Sequence, residues 1–251
     1  MRYTKTEKAV MALACVFSAA LAFAKGAYAM HIMEGYLPLE YCISWDVVCL
    51  PFLVAGIIKI RRTLQRSRRV LILLAMSGAF VFVISSLKIP SVTGSCSHMT
   101  GTGLSAILFG VATTSILGII VLIFQSILLA HGGLVTTIGA NVFSMAIAGP
   151  VITWLLYTLF KRVRLNRSVS IFIAAAVGDL FTYCVTSVQL ALAYPEPTGG
   201  FMAALVKFLT VFAPTQLPLA VVEGLLTVLV IMGMQSFAKP ELKELSFLEA
   251  N

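Results

Sequence analysis

The segment from Ala27 to Gly35 contains the residues whose types and spacing best suit metal chemistry. Ala27 and Ala29 form an Ala-x-Ala pattern typical of signal-peptide cleavage, and His31 follows two positions later. Cleavage after Ala29 would give Met30 a free α-amino group with a pKa of about 7.7–8.0. The new chain would begin Met30-His31, with an amine one residue before an imidazole.

These two residues can supply three nitrogen ligands to one divalent ion. The Met30 amine, the His31 backbone nitrogen and the ring nitrogen nearest the His31 Cβ close a five-membered and a six-membered chelate ring. Such a set favours tetragonal coordination, and therefore late first-row metals rather than Mg²⁺ or Ca²⁺. A solvated histidine near a terminus is the ordinary alternative. The metal hypothesis also requires a fourth ligand.

Two other histidines are candidates for that ligand. His98 ends a Gly/Ser/Thr-rich segment, 91–97, whose composition predicts a loop and whose hydroxyls could fix an imidazole tautomer. His131 begins a second loop-like interruption of apolar sequence, 131–141. For His131 we expect a structural or supporting role more than direct coordination, but the residues alone leave both open.

Residues 1–29 have the three parts of a secretory signal. A basic start precedes the apolar stretch 9–24 and the small residues before the cleavage point. The chain is thereby divided into a signal peptide, 1–29, and a transmembrane metal-capture domain, 30–251. The alternative is an uncleaved first membrane helix, for which the apolar part is short.

The remaining chain has the composition of a polytopic membrane protein. Its 251 residues are 59% hydrophobic and 11% charged, with a mean hydropathy of +0.99. Continuous apolar runs of about membrane-spanning length predict an all-α bundle rather than a barrel of alternating strands. The runs cover residues 45–60, 70–88, 104–130, 137–160, 169–193 and 202–234.

Two basic blocks, 59–69 and 161–167, set the expected topology. The positive-inside rule places both in the cytoplasm, so the net charge of +8 reflects orientation and not nucleic-acid binding. Reading 104–130 as two helices broken near 110–115 satisfies this rule with seven helices. The mature N-terminus and all three histidines then lie outside and the C-terminus inside. A single helix over 104–130 remains the alternative.

Polar residues inside the apolar runs have two interpretations. Asp179 and Glu223 could carry protons in a stand-alone metal/proton exchanger, or could lock helix packing, which we favour. Gln125, Gln189 and Gln216 are expected to form interhelical hydrogen bonds. No His-Glu-x-x-His, Gly-x-Ser-x-Gly or phosphate-binding GxxxxGK[ST] pattern occurs, which argues against an enzyme or a self-contained ATPase.

Several motifs together resemble the CbiM family, the cobalt-specific substrate-capture components of energy-coupling factor transporters, which are close relatives of nickel-capture proteins. The resemblance covers nearly the whole mature chain. It rests on the segments Met30–Gly35, Lys88–His98, His131–Asn141, Thr186–Leu190 and Glu223–Thr227. Met99 and Val111 stand where family members often have proline.

The resemblance implies an ion bound by the Met30 amine, the amide and ring nitrogens of His31, and the ring of His98. Candidates for hydrogen bonding to these ligands, without binding the ion, are Glu34, Ser95, Ser97, His131 and Asn141. No cofactor is expected; Co²⁺ is the transported ion, with Ni²⁺ possible.

The resemblance further implies partners and a location. These are a transmembrane coupling protein, ATP-binding subunits and a small membrane accessory protein, in the bacterial cytoplasmic membrane, with cobalt serving cobalamin synthesis. Nitrogen sites bind Ni²⁺ more tightly than Co²⁺, so the preference for cobalt comes from the 91–98 motif and not from the ligand set. A nickel-capture component, a stand-alone exchanger and a passive metal sensor remain alternatives.

Overall fold

The structure, a computed structural model, describes residues 31–90, 96–130 and 132–245. The predicted signal peptide and the predicted site residues Met30, Ser95 and His131 lie outside these ranges. Helices dominate the described chain, which has the elements α1 Leu39–Arg66, α2 Val70–Ser86, β1 Ile89–Pro90, β2 Cys96–Ser97, α3 Thr102–Phe109, α4 Val111–Leu129, α5 Ile138–Asn141, a π-helical turn Val142–Ala148, α6 Gly149–Arg162, α7 Arg167–Ala193, α8 Gly200–Phe237 and α9 Lys239–Glu244.

Five helices are long and apolar enough to cross a membrane. They are α1, α4, α7, α8 and the continuous unit Ile138–Arg162, in which the π-helical turn joins α5 to α6. The apolar α2 is shorter, at 17 residues. These helices confirm the predicted all-α polytopic fold. The two-residue strands β1 and β2 form a small antiparallel hairpin that pairs Ile89 with Ser97.

The apolar run 104–130 is broken into two helices at Gly110. This residue has φ 78° and ψ 171°, a conformation that glycine adopts without the steric cost of a Cβ. The Nζ atom of Lys59, in α1, donates a hydrogen bond to the carbonyl of Phe109, which no longer has a helical partner. The break lies at the first residue of the predicted interval. Both helices of the predicted pair are present, although α3 is only about 12 Å long.

The short α3 nevertheless completes a passage through the bundle. We call the end where α1 begins the first end, and the end where α1 finishes the second end. Because α2 follows α1 after three residues, it returns the chain to the first end. Lys59 contacts Phe109 near the last turns of α1. The chain has therefore returned to the second end by the last residue of α3.

The later helices alternate in the same way. At the first end, a Cβ added at Gly132, after α4, would lie 3.6 Å from the Cβ of His31. The unit Ile138–Arg162 then runs to the second end. The α7 helix returns, since the Tyr41 hydroxyl of α1 donates to the carbonyl of Leu192 at 2.9 Å. With α8, the described chain runs along the bundle seven times, and five of these passages are helices long and apolar enough to span a membrane.

Both basic blocks lie at the second end. The first block shares a cavity of about 790 Å³ with the last residues of α9, and the second block connects α6 to α7. On α7, the Asn166 side chain caps the helix by accepting from the backbone N–H of Ser168 at 3.0 Å. This distribution of cations is the one that the positive-inside rule requires of a single membrane face.

Close helix packing near the middle of the bundle depends on small residues. Gly149 of α6 faces Gly178 of α7, and a Cβ built on Gly178 would lie 3.1 Å from the Gly149 carbonyl oxygen. Without side chains at these positions, the two backbones can approach each other, as is usual between membrane helices. This contact holds α6 and the π-helical turn against α7.

We predict that Gly178→Val lowers the free energy of unfolding by about 1–3 kcal/mol, because the added methyl groups force α6 and α7 apart. Thermal unfolding of the purified protein in detergent measures the effect. Gly233→Ala is the control, since a Cβ at Gly233 meets no described atom within 4 Å. Equal unfolding temperatures for Gly178→Val and the wild type would show that this contact is not tightly packed.

Candidate metal-binding site

The side chains of His31 and His98 meet inside the first end of the bundle, although 67 residues separate them. His31 is 3% exposed and His98 is fully buried. The Nδ1 atom of His31 and the Nε2 atom of His98 face each other in a short contact. The ring centroids are 4.3 Å apart and the ring planes are inclined by 32°. Two nitrogens of the predicted ligand set therefore converge.

The hydrogen bonds of His98 determine its tautomer. Its Nδ1 atom lies 2.9 Å from the carbonyl oxygen of Met99, which can only accept, so Nδ1 carries the proton. Burial lowers the pKa of His98 to about 4, so the ring is neutral at neutral pH. The Nε2 lone pair consequently points at His31, where it can accept a hydrogen bond or bind an ion.

A single side chain of α5 holds the backbone that follows His31. Asn141 accepts a hydrogen bond from the Ile32 N–H at 2.8 Å through its Oδ1 atom and donates to the Ile32 carbonyl at 3.0 Å through its Nδ2 atom. The hydroxyl of Thr137 donates to the same carbonyl at 2.8 Å. Asn141 is 2% exposed, so these bonds are shielded from water. They fix the position of His31 relative to the bundle.

The space at the site is narrow. The pocket lined by His31, His98, Asn141, Ser144, Met145 and Thr182 has no room for a water-sized sphere. Ser144 and Met145 belong to the π-helical turn, a distortion that is frequent at functional sites. An ion entering this space must exchange its water ligands for protein nitrogens, which Mg²⁺ does reluctantly.

Glu34 attaches the N-terminal segment to the loop that follows α4. Its carboxylate accepts hydrogen bonds from the backbone N–H groups of Leu134, Val135 and Thr136 at 2.7, 2.9 and 2.7 Å. A side-chain bond with Thr136 and these N–H groups lower the pKa of Glu34 below its ordinary value. Glu34 therefore acts on the loop through its carboxylate.

We predict that Glu34→Gln increases hydrogen exchange at the amides of residues 134–136 at neutral pH. Because the pKa of Glu34 is lowered in the fold, its anchoring is complete above the ordinary pKa of about 4.3 and is lost as the pH falls through the folded-state value. Wild type and variant should therefore converge at low pH. Glu40→Gln, in the first turn of α1, is the control. A difference that persists at low pH would contradict this role.

The loop that carries His98 is attached to α7 and α8. Ser97 exchanges a hydrogen bond with the hydroxyl of Thr215 at 2.7 Å. Thr100 bonds to the carboxyl groups of Asp179 and Glu223, and Gln216 donates to the His98 carbonyl at 3.3 Å. Asp179 and Glu223 thus lock the packing of a loop against helices, which is the favoured interpretation of these residues.

The predicted roles of the three glutamines are confirmed. Gln125 donates to Ser85 at 2.7 Å, Gln189 donates to the Ala140 carbonyl at 3.0 Å, and Gln216 donates to Asp179 at 2.6 Å. Each bond joins two helices, and all three glutamine side chains are buried in the bundle interior.

Of the predicted site residues, the structure brings together His31, His98 and Asn141. Ser97 and Glu34 lie in the flanking segments, while Met30, Ser95 and His131 fall outside the described residues. In the described part of the chain, no group of three or more His, Cys, Asp and Glu side chains forms a metal site. The lining residues Ser144, Met145 and Thr182 carry no local sequence signal and were not predicted.

Comparisons with known proteins agree with this geometry. The chain is 60% identical to the cobalt transport protein CbiM of Lachnoclostridium phytofermentans over 97% of each chain. It is 51% identical to the cobalt transport protein CbiM of Ruminiclostridium cellulolyticum, over 98% of this chain and 99% of the relative. Both relatives therefore match it over nearly their full length.

The fold is also similar to that of solved transporters. A crystal structure of a transition metal transporter matches with a TM-score of 0.70 and 27% identity, over 82% of this chain and 92% of that one. A truncated transition metal transporter matches with a TM-score of 0.71 and 25% identity, over 82% and 98%. Residues 31–242 match the CbiM family, described as the cobalt uptake substrate-specific transmembrane region. The chain belongs to this family, and is a multi-pass membrane protein that serves cobalt transport.

Proposed function

We propose that this protein is the substrate-binding component of an ATP-driven Co²⁺ importer and that the ion binds at the histidine pair. The observation that carries the proposal is the buried contact between the Nδ1 atom of His31 and the Nε2 atom of His98. Two neutral imidazoles cannot both direct lone pairs at each other without a bridging positive centre. In the ion-free chain a proton on His31 fills this role, and a divalent ion would replace it.

The remaining ligands come from the mature N-terminus. Signal-peptide removal after Ala29 would give Met30 a free amine next to His31, whose backbone nitrogen completes the chelate. With the His98 ring, these groups make four nitrogen donors. Asn141 supports this arrangement because it holds both backbone polar groups of Ile32, directly after the ligand residue. Partners that orient a ligand contribute strongly to metal affinity.

The narrow space favours a transition ion that binds nitrogen and releases its water. The nitrogen ligands give no preference for Co²⁺ over Ni²⁺, since such ligands bind Ni²⁺ more tightly. The choice of Co²⁺ follows from the family and from relatives named as cobalt transport proteins. By the same resemblance, the imported cobalt would serve cobalamin synthesis.

Energy for transport is proposed to come from partner subunits. A transmembrane coupling protein, ATP-binding subunits and a small membrane accessory protein would assemble with this chain in the bacterial cytoplasmic membrane. The two basic blocks at the second end suit a cytoplasmic face, and in that orientation the histidine pair would face the outside. The chain itself is then a binding component and not an enzyme.

Uptake of Co²⁺ into sealed vesicles tests this proposal. Vesicles containing the complete complex should accumulate Co²⁺ only with ATP and with the processed N-terminus, and an excess of Ni²⁺ should compete weakly. Transport by this chain alone, driven by a proton gradient, would favour the stand-alone exchanger. Stronger competition by Ni²⁺ than by unlabelled Co²⁺ would favour the nickel-capture alternative. Binding without uptake under every condition would indicate a sensor.

A further inference from the structure

A buried polar cluster lies directly against the loop that carries His98. The backbone N–H of Thr100 donates to the carboxylate of Glu223 at 2.6 Å and to that of Asp179 at 3.2 Å. The Thr100 hydroxyl donates to the other oxygen of Glu223 at 2.8 Å. All three residues are at most 1% exposed. Thr100 therefore ties the loop to both carboxyl groups.

Gln216 extends this cluster to the proposed ligand itself. Its Nε2 atom donates to the Asp179 carboxylate at 2.6 Å and to the backbone carbonyl of His98 at 3.3 Å. Gln216 is fully buried in α8, between Pro214 and Pro218. One amide group thus joins α7, α8 and the backbone of His98.

Peptide geometry links the cluster to the direction of the His98 ring. The Met99 carbonyl and the Thr100 N–H belong to the same trans peptide unit, in which the C=O and N–H bonds point in opposite directions. When Glu223 and Asp179 hold the N–H on one side, the carbonyl must face the other side. That carbonyl is the group that accepts the Nδ1 proton of His98. Its direction sets the direction of Nε2.

We propose that Glu223, Asp179 and Gln216 are positioning residues for Co²⁺ binding: they orient the Met99–Thr100 peptide and the His98 carbonyl so that the Nε2 atom of His98 faces His31. The inference rests on the function proposed above. It assigns these polar side chains a role in ligand geometry, which differs both from proton transport and from helix packing alone.

Two substitutions test this role. Gln216→Leu removes the donor to His98 and Asp179 at similar volume. Glu223→Gln replaces one carboxylate oxygen by an NH₂ group that cannot accept from Thr100. We expect each to weaken Co²⁺ binding by about 10–100-fold, as is typical of groups that orient a metal ligand. Gln125→Leu is the matched control, since Gln125 is another fully buried glutamine that donates between helices, to Ser85. It should change the affinity by much less than this roughly 10–100-fold range.

Spectroscopy separates positioning from general packing. At saturating Co²⁺, the visible absorption and electron paramagnetic resonance of the bound ion should change in Gln216→Leu and Glu223→Gln and stay unchanged in Gln125→Leu. If either test variant is not recovered folded, Thr100→Val, which deletes one hydroxyl at nearly constant volume, is judged by the same spectral criterion.

Wild-type affinity and unchanged spectra in the test variants, together with loss of binding in His98→Ala, would overturn this inference and leave the proposed function intact. Wild-type binding by His98→Ala would instead refute the proposed site. Equal weakening by Gln216→Leu and Gln125→Leu with unaltered spectra would also overturn the inference, because a general effect of buried polar groups on packing would then be sufficient.

Discussion

His98→Ala should abolish high-affinity Co²⁺ binding by the processed protein, and His31→Ala should do the same. The expected loss exceeds the roughly 10–100-fold effect of groups that only orient a ligand, because each variant removes a coordinating nitrogen itself. Isothermal titration of the purified protein with Co²⁺ measures the loss.

Two comparisons define the limits of this prediction. Without metal, each variant should still fold and unfold cooperatively, at a temperature lowered by the loss of one buried ring, since the helices stay intact. His131→Ala should retain most of the affinity, because His131 is assigned a supporting role. Unchanged affinity in His31→Ala or His98→Ala would remove that residue from the site, and a complete loss in His131→Ala would make His131 the fourth ligand.

Insertion of one alanine between Ala29 and Met30, with cleavage still after Ala29, should also eliminate tight binding. The terminal amine would then be displaced by one residue from its chelate ring, and Met30 would offer an amide nitrogen, which is a far poorer ligand. Intact mass establishes where the chain is cut, and metal analysis of the same sample gives the Co²⁺ content. We expect one ion per processed wild-type chain and almost none in the insertion variant.

Met30→Ala provides the matched control for the insertion. It keeps the amine at the same position and changes only the side chain, so Co²⁺ should bind with nearly wild-type affinity. An unprocessed chain that retains residues 1–29 and holds Co²⁺ would contradict the proposed ligand set. Equal metal content in the insertion variant and the wild type would show that the amine is not a ligand.

Much of the architecture could be predicted because apolar runs of membrane length leave few alternatives. A bilayer requires each crossing backbone to satisfy its own hydrogen bonds, so continuous apolar segments become helices. The break near Gly110 could also be predicted, because the positive-inside rule puts both basic blocks on one side only if the run 104–130 forms two helices. Its position follows from the backbone freedom of glycine, but the contact of Lys59 with Phe109 had no sequence signal.

Only part of the site could be predicted from the sequence. His31 could be predicted as a metal ligand because an apparent cleavage site precedes it, and such a site is a local sequence pattern. The choice of His98 over His131 depended on a family resemblance. The π-helical turn and the lining by Met145 and Thr182 were not predictable, because such contacts depend on how α5, α6 and α7 pack.

By itself, the sequence determined the helical membrane class, the grouping of the cations in two connecting blocks and the residue types able to bind a transition ion. These properties depend on hydropathy, charge and chemistry that each segment carries alone. Only the tertiary structure decided that His31 and His98 face each other and that Glu223, Gln216 and Asp179 hold the His98 loop. Residues 37 to 123 positions apart meet there because helix packing, and not local sequence, sets the distances between side chains.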